Sequence, residues 1–232
     1  MNATHLKIAT TVLFSTLLAA CGGGGGSSNP TVAVAADVTF PADAAVQNFL
    51  TSSHTFNASY TDPANNDLYA LNYSYVPGAD SAFEGQAAKT ASFTLNLKKN
   101  GVTQSTSTEV TYFRIGPVKS LGAILGTGEY IVAANQGAFP VNAKVGDVGS
   151  LGGSTSYTSS AKTSIYATSV NTWELQADTA TTAYLCVNSS VRYTNGAATL
   201  TGSECYRINT SGAVLGNKLT LSINGKSVTF LN

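Results

Sequence analysis

Few side chains in this sequence are suited to chemistry. Beyond the N-terminal stretch there is one histidine, His54, and the twelve acidic residues are scattered. A Ser-His-Asp triad would have to use His54, yet no Gly-x-Ser-x-Gly elbow occurs to supply its nucleophile. His54 therefore reads as a residue at the start of a strand, and no catalytic residue is assigned. Two carboxyl groups at a suitable separation would suffice for glycoside cleavage. Glu174 beside Trp173 is the most suggestive acid, since sugars stack on indole rings. Alternation, however, puts Trp173 in a core and Glu174 in water. Asp62, Asn65, Asn66 and Asp67 offer oxygen atoms of the kind calcium takes, but without EF-hand spacing, and "DPANND" is good turn chemistry. Gly126-Thr127-Gly128 lacks the third glycine of a dinucleotide loop. Gly225-Lys226-Ser227 lacks the earlier glycine of a phosphate loop. Tyr69, Tyr73 and Tyr75 could form a stacking platform, but with Leu71 between them they read as the buried side of a strand. No cofactor and no metal is implied.

Cysteine chemistry is more informative. Cys186 and Cys205 flank Asn195-Gly196, the dipeptide that most strongly signals a two-residue hairpin turn. With those two residues as the turn, Thr194 faces Ala197, and counting outward brings Cys186 directly opposite Cys205. The same ladder puts Val191 opposite Leu200, Leu185 opposite Tyr206 and Ala183 opposite Ile208 on a largely apolar face. Ser190 and Thr201, Asn188 and Ser203, and Tyr184 and Arg207 share a polar face. Val187 opposite Glu204 is the misfit, of the kind a bulge would relieve. A bond closing the intervening loop would contribute about 3 kcal/mol in the chain-entropy view. No CxxC redox pair or zinc ligand set surrounds these two residues.

The third cysteine closes an apolar run. Ile8 to Ala20 carries no charge and follows Lys7, the sole charged side chain of the first twenty residues. As a helix the run would span roughly 20 Å, short of the roughly 30 Å hydrocarbon core. It is a poor membrane span and a good export signal. Leu18-Ala19-Ala20-Cys21 resembles the lipobox of bacterial lipoproteins. That resemblance implies cleavage after Ala20, lipidation of Cys21 and a membrane anchor through it. In Gram-negative members an aspartate after the cysteine retains the protein in the inner membrane. Gly22 stands there instead, which implies the outer membrane and leaves its periplasmic and surface faces both open. Gly22 to Gly26, Ser27 and Ser28 begin a tether that runs to Ala36, with a reach of roughly 20 Å.

Composition narrows the partners. Charged residues make up only 10% of the chain, and Thr, Ser, Asn and Gly take their place. Without Lys7 the chain would carry twelve acidic and eleven basic residues, with no basic patch of the kind nucleic acid requires.

The elements that must position these residues have a period of two. Val46, Phe49 and Leu50 after Pro41 predict a short helix near 41–51. Thereafter Phe56, Ala58 and Tyr60 alternate with polar residues, as do Tyr69 to Tyr75. Ala91, Phe93, Leu95 and Leu97 do the same ahead of an Asn100-Gly101 turn. Strands are expected at 129–134, 163–170 and 172–177, and Asn224-Gly225 makes a last hairpin. Residues 116–160, rich in Gly and Ser, are expected to hold long exposed loops. The reading is an all-β antiparallel meander of about ten strands, closed as a barrel or folded as a sandwich, with one short N-terminal helix. It divides the chain into a signal (1–20), a lipidated tether (21–36) and a single domain (37–232). "KVGDVGSLGGSTSYT", "CYRINTSGAVLG" and "INGKSVTF" resemble other Gram-negative lipoproteins, and that resemblance brings no activity.

The functional expectation is a lipid-anchored, non-enzymatic binding or structural module of the cell envelope, with a protein or glycan partner. The alternatives are a carrier of small apolar ligands with a barrel cavity, and a carboxylate-dependent polymer hydrolase.

Overall fold

A computed structural model of the protein describes residues 38–197, 199–223 and 226–232. Cys21 with its signal and tether, and the Asn224-Gly225 turn, lie outside the described residues.

The helix α1 spans Ala42–Leu50 and buries Ala42, Ala45, Val46, Phe49 and Leu50, the spacing of a single apolar stripe. Thirteen strands follow: β1 (His54–Thr61), β2 (Leu68–Pro77), β3 (Ser81–Phe83), β4 (Gln86–Lys99), β5 (Val102–Arg114), β6 (Lys119–Leu125) and β7 (Tyr130–Ala134), then β8 (Val148–Tyr157), β9 (Ile165–Ala177), β10 (Thr182–Tyr193), β11 (Leu200–Asn209), β12 (Val214–Ile223) and β13 (Lys226–Leu231). Twelve of them run in sequence order through one antiparallel sheet, while β3 folds back on β4. The sheet curls until its edge strands β1 and β13 approach each other, giving a nearly closed barrel. This decides between barrel and sandwich, and the strand count exceeds the expected ten.

Two expectations along the chain are corrected. The segments 163–170 and 172–177 form one strand, β9, with Asn171 turned inward and accepting a hydrogen bond from Ser189 Oγ at 2.6 Å. A satisfied inward amide does not interrupt a ladder. Residues 116–160 contain β6, β7 and β8 as well as loops. Glycine serves close packing there: a Cβ on Gly122 would overlap the Ile131 carbonyl, and one on Gly149 would overlap the Trp173 ring.

Alternation sorts the side chains. Tyr69, Leu71, Tyr73 and Tyr75 of β2 and Ala91, Phe93, Leu95 and Leu97 of β4 point into the barrel. Asn72, Ser74, Thr94, Thr106 and Thr108 point out, a polar set quite unlike the apolar outer band of a membrane-spanning barrel. Among the described residues no helix is long and apolar enough to cross a membrane.

The helix closes one end of the barrel. Asp43 Oδ1 accepts from the Val118 amide at 2.9 Å, and Asn48 Nδ2 donates to the Gly212 carbonyl at 3.2 Å. Just before α1, Phe40 and Ala143 exchange two backbone hydrogen bonds of 2.8 and 2.9 Å. Phe49 enters the core, its ring 4.4 Å from His54, 4.9 Å from Tyr75 and 4.5 Å from Tyr206. Phe83 and Tyr130 head a smaller cluster beneath β3, joined by Tyr112.

In the β10–β11 ladder every rung from Thr182↔Asn209 to Val191↔Leu200 keeps one register, including Cys186↔Cys205 and the misfit Val187↔Glu204. The cysteine sulfurs lie at bonding distance on the outward side, though both side chains are buried. Peptide mapping without reductant should recover the two cysteines in one linked pair, and reduction should lower stability by about 3 kcal/mol. Two free thiols in the mapped peptides would contradict the pairing.

Candidate functional site

The interior of the barrel is not uniformly apolar, and a break in register explains why. A two-residue turn at Asn100-Gly101 continued without interruption would pair Leu97 with Gln104, turning Ser105, Ser107 and Glu109 outward. The observed ladder begins with Lys99↔Val102, shifts by one residue between Leu97 and Lys98, and then pairs Leu97↔Ser105, Leu95↔Ser107 and Phe93↔Glu109. Because side chains alternate, a shift of one residue exchanges the two faces. The inner face of β5 therefore carries Ser105, Ser107, Glu109, Thr111 and Phe113, opposite the apolar inner face of β4.

Glu109 and Thr111 line a small pocket of about 20 Å³, room for roughly one water molecule, together with Ser120, Gln136, Ser154 and Asn171. Gly122, Ala123, Ala133 and Gly153 also border it. Its side-chain oxygen atoms come from residues of four strands, β5, β6, β8 and β9, and from the loop residue Gln136, and among the described residues no lysine, arginine or histidine lines it. Deeper in the same face Ser154 and Ser169 are hydrogen bonded at 2.8 Å. Hydroxyls and amides both donate and accept, so such a surface suits polar groups able to exchange hydrogen bonds.

A second polar group lies beneath α1. Glu204 of β11 is buried with Tyr73, Tyr75, Tyr206 and Asn217. Asn217 Nδ2 donates to Glu204 Oε1 at 3.3 Å, and the hydroxyls of Tyr73 and Tyr206 are directed at the same carboxyl. Tyr206 and Tyr73 sit close enough to be strongly affected by its charge, although Tyr73 Oη makes no well-formed hydrogen bond. Burial raises the Glu204 carboxyl to about 7, against the pull of the two phenols, which favour the charged form. The same burial, with the carboxylate beside them, pushes the hydroxyls of Tyr73 and Tyr206 well above the ordinary tyrosine range. Thr111 connects the two groups, since its hydroxyl interacts with Tyr75 while its side chain also lines the pocket.

The residues singled out in the sequence take other places. His54 opens β1, stacks on Phe49 and holds the Phe49 carbonyl at 3.0 Å through Nε2, with burial lowering its pKa. It serves the helix end as a strand-end residue. Trp173 is in the core, and Glu174 is on the outer face, where it accepts from Gln176 at 2.6 Å and Asn188 at 3.1 Å. In the β1–β2 turn Asp67 is taken by Lys99 at 2.6 Å and by Asn100 Nδ2 at 2.8 Å, and Asp62 Oδ1 accepts from the Ala64 amide. These contacts are those of a turn. Gly126-Thr127-Gly128 forms the β6–β7 turn, closed by the Gly128 amide on the Leu125 carbonyl at 2.9 Å. Tyr69, Tyr73 and Tyr75 are core residues.

Sequence reasoning missed both interior acids as site residues. Glu204 had left a signal, as the one polar residue facing Val187 on the apolar side of the hairpin. Glu109 had left none, because the shift at Leu97 reverses the face that unbroken pairing assigns to it. Comparison with known protein families, with curated proteins and with solved structures finds no match.

The Glu204 carboxyl carries a pH dependence of stability. Its folded pKa, about 7, lies above the unfolded value of roughly 4.3. The folded state therefore holds a proton that the unfolded state has lost. Stability from this group is full below the unfolded value and declines as pH rises to about 7. Glu204→Gln should flatten that decline in urea melts taken from pH 4 to 8, and be more stable than wild type at pH 8 by about 1–3 kcal/mol. An unchanged pH profile in the variant would remove Glu204 as its source.

Proposed function

We propose that the protein is a lipid-anchored binding module of the bacterial cell envelope, without catalytic activity, tethered through Cys21 to the outer membrane. Its binding site is the pocket beside Glu109. The observation that carries this reading is the polar patch of β5, β6, β8 and β9 placed inside the barrel, apart from the aromatic region around Phe49. A purely structural barrel would gain more stability from apolar residues at those positions. The polar outer face supports the tether, since such a surface contacts lipid poorly and leaves attachment to an anchor.

Neither alternative gains support. The Tyr and Leu rows that an apolar carrier would use are filled by one another and by Phe49. A hydrolase of the paired-carboxylate type needs a second acid close to the first. Among the described residues Glu109 is the only acid that lines the pocket, and the groups acting on Glu204 are phenols and an amide.

Two experiments test the reading. Metabolic labelling with a radioactive fatty acid should mark the wild-type protein and not Cys21→Ser, which should be processed differently and leave the membrane fraction; persistent label in the variant would defeat the anchor. For the pocket, Ala133→Leu places a larger side chain among the small walls. On arrays of envelope glycans and peptides this variant should lose at least tenfold in retention at every position the wild type binds, with an unchanged melting temperature. Equal retention by both proteins would exclude the pocket as the site.

A further inference from the structure

The buried carboxyl and the helix that closes the barrel share their contacts. Tyr75 Oη donates to the Leu50 carbonyl at 3.1 Å, at the last residue of α1, where the helix has no further amide to offer. The Tyr75 and Tyr206 rings pack on Phe49 at 4.9 and 4.5 Å. Both tyrosines also respond to charge on Glu204. The C-terminal turn of α1 is thus seated on the residues that surround this acid.

We propose that Glu204 is a proton latch for α1: the neutral carboxyl lets the helix seal the barrel end, and loss of the proton loosens the helix from its seat. The physical reason is solvation. The carboxyl accepts from Asn217 at 3.3 Å and faces the hydroxyls of Tyr73 and Tyr206, with Val187 as its partner across the ladder. The phenols favour the charged form but do not offset its burial, so a charged carboxyl in the same place draws water toward it. No cation is among the groups that act on it. β2 presents Tyr73 and Tyr75, β11 Tyr206, β12 the neutral Asn217 and β10 the apolar Val187. On the helix side the surroundings are Phe49 and the Leu50 carbonyl, with His54 of β1 stacked beyond Phe49. With a carboxyl pKa of about 7 the latch would work across neutral pH.

His54 provides an internal contrast. It also touches Phe49 and titrates, but it becomes charged on acidification, so a latch at His54 would release the helix at low pH. Release governed by Glu204 occurs at high pH.

Hydrogen exchange read by mass spectrometry on the whole chain at pH 5.5 and 8.5, with times scaled for intrinsic exchange, tests the proposal. In the wild type, peptides covering residues 41–51 should lose at least tenfold in protection at pH 8.5, while β4 peptides should not change. Glu204→Gln should keep the helix protected at both values. Tyr206→Phe retains the ring on Phe49 but removes a hydroxyl that favours the charged carboxylate, so it should move the release to higher pH. His54→Asn should leave the high-pH release in place. Equal protection of α1 at both pH values in the wild type would overturn the latch. So would a release that survives Glu204→Gln, one left unmoved by Tyr206→Phe, or one abolished by His54→Asn.

Discussion

A strand delivers one side chain in two to the interior, so the contents of this barrel depend on register before they depend on residue type. Each ladder passes its parity to the next around the sheet. At β10 and β11 a ladder containing a cross-strand cysteine pair holds one parity for ten rungs, and an acid is carried inside along with the apolar residues. At β4 and β5 the pairing shifts after its first two rungs, and a polar run is turned inward against a wall of Phe93, Leu95 and Leu97. The helix, the pocket and the buried acid are all arranged around these two registers.

The resulting interior is divided in character. Around Phe49 it is densely aromatic, and there burial does most of the stabilising work. Around Glu109 it is made of hydroxyls, amides and very small side chains, a composition that sacrifices burial for hydrogen-bonding capacity. Thr111 stands where these regions meet. A change in the hydrogen bonding of Tyr75 therefore reaches a residue of the pocket wall through one side chain, without any movement of the strands being required.

Much of the architecture was legible because strong local signals agreed with the global one. Asn-Gly turns, strict alternation in β2 and β4 and the apolar spacing of α1 all point to elements that exist. The cysteine register could be read because counting outward from Asn195-Gly196 gives the register that all ten observed rungs keep. The remainder was hidden for physical reasons. Gly and Ser in residues 116–160 look like loop composition, yet at Gly122 and Gly149 glycine is what allows backbone and ring to approach a strand. Asn171 looks like a break and is a satisfied inward amide. The polar pocket could not be found from residue types alone, since Ser105, Ser107 and Glu109 become interior residues only through a shift that no individual residue announces. The Glu204 cage needs Tyr73 of β2 to face β11 from elsewhere in the barrel, a contact that joins distant parts of the chain.

The way the chain enters the domain has a mechanical consequence. Phe40 is joined to Ala143 by two backbone hydrogen bonds, immediately ahead of the helix and on the connection between β7 and β8. A pull transmitted along the N-terminal segment meets this short clasp first and α1 next, before any of the long ladders is loaded. The clasp offers two hydrogen bonds where the β10–β11 ladder offers ten paired rungs. Under tension the domain would yield at its stopper while the wall of the barrel stayed intact, so that a drag on the molecule becomes a change at one end of it.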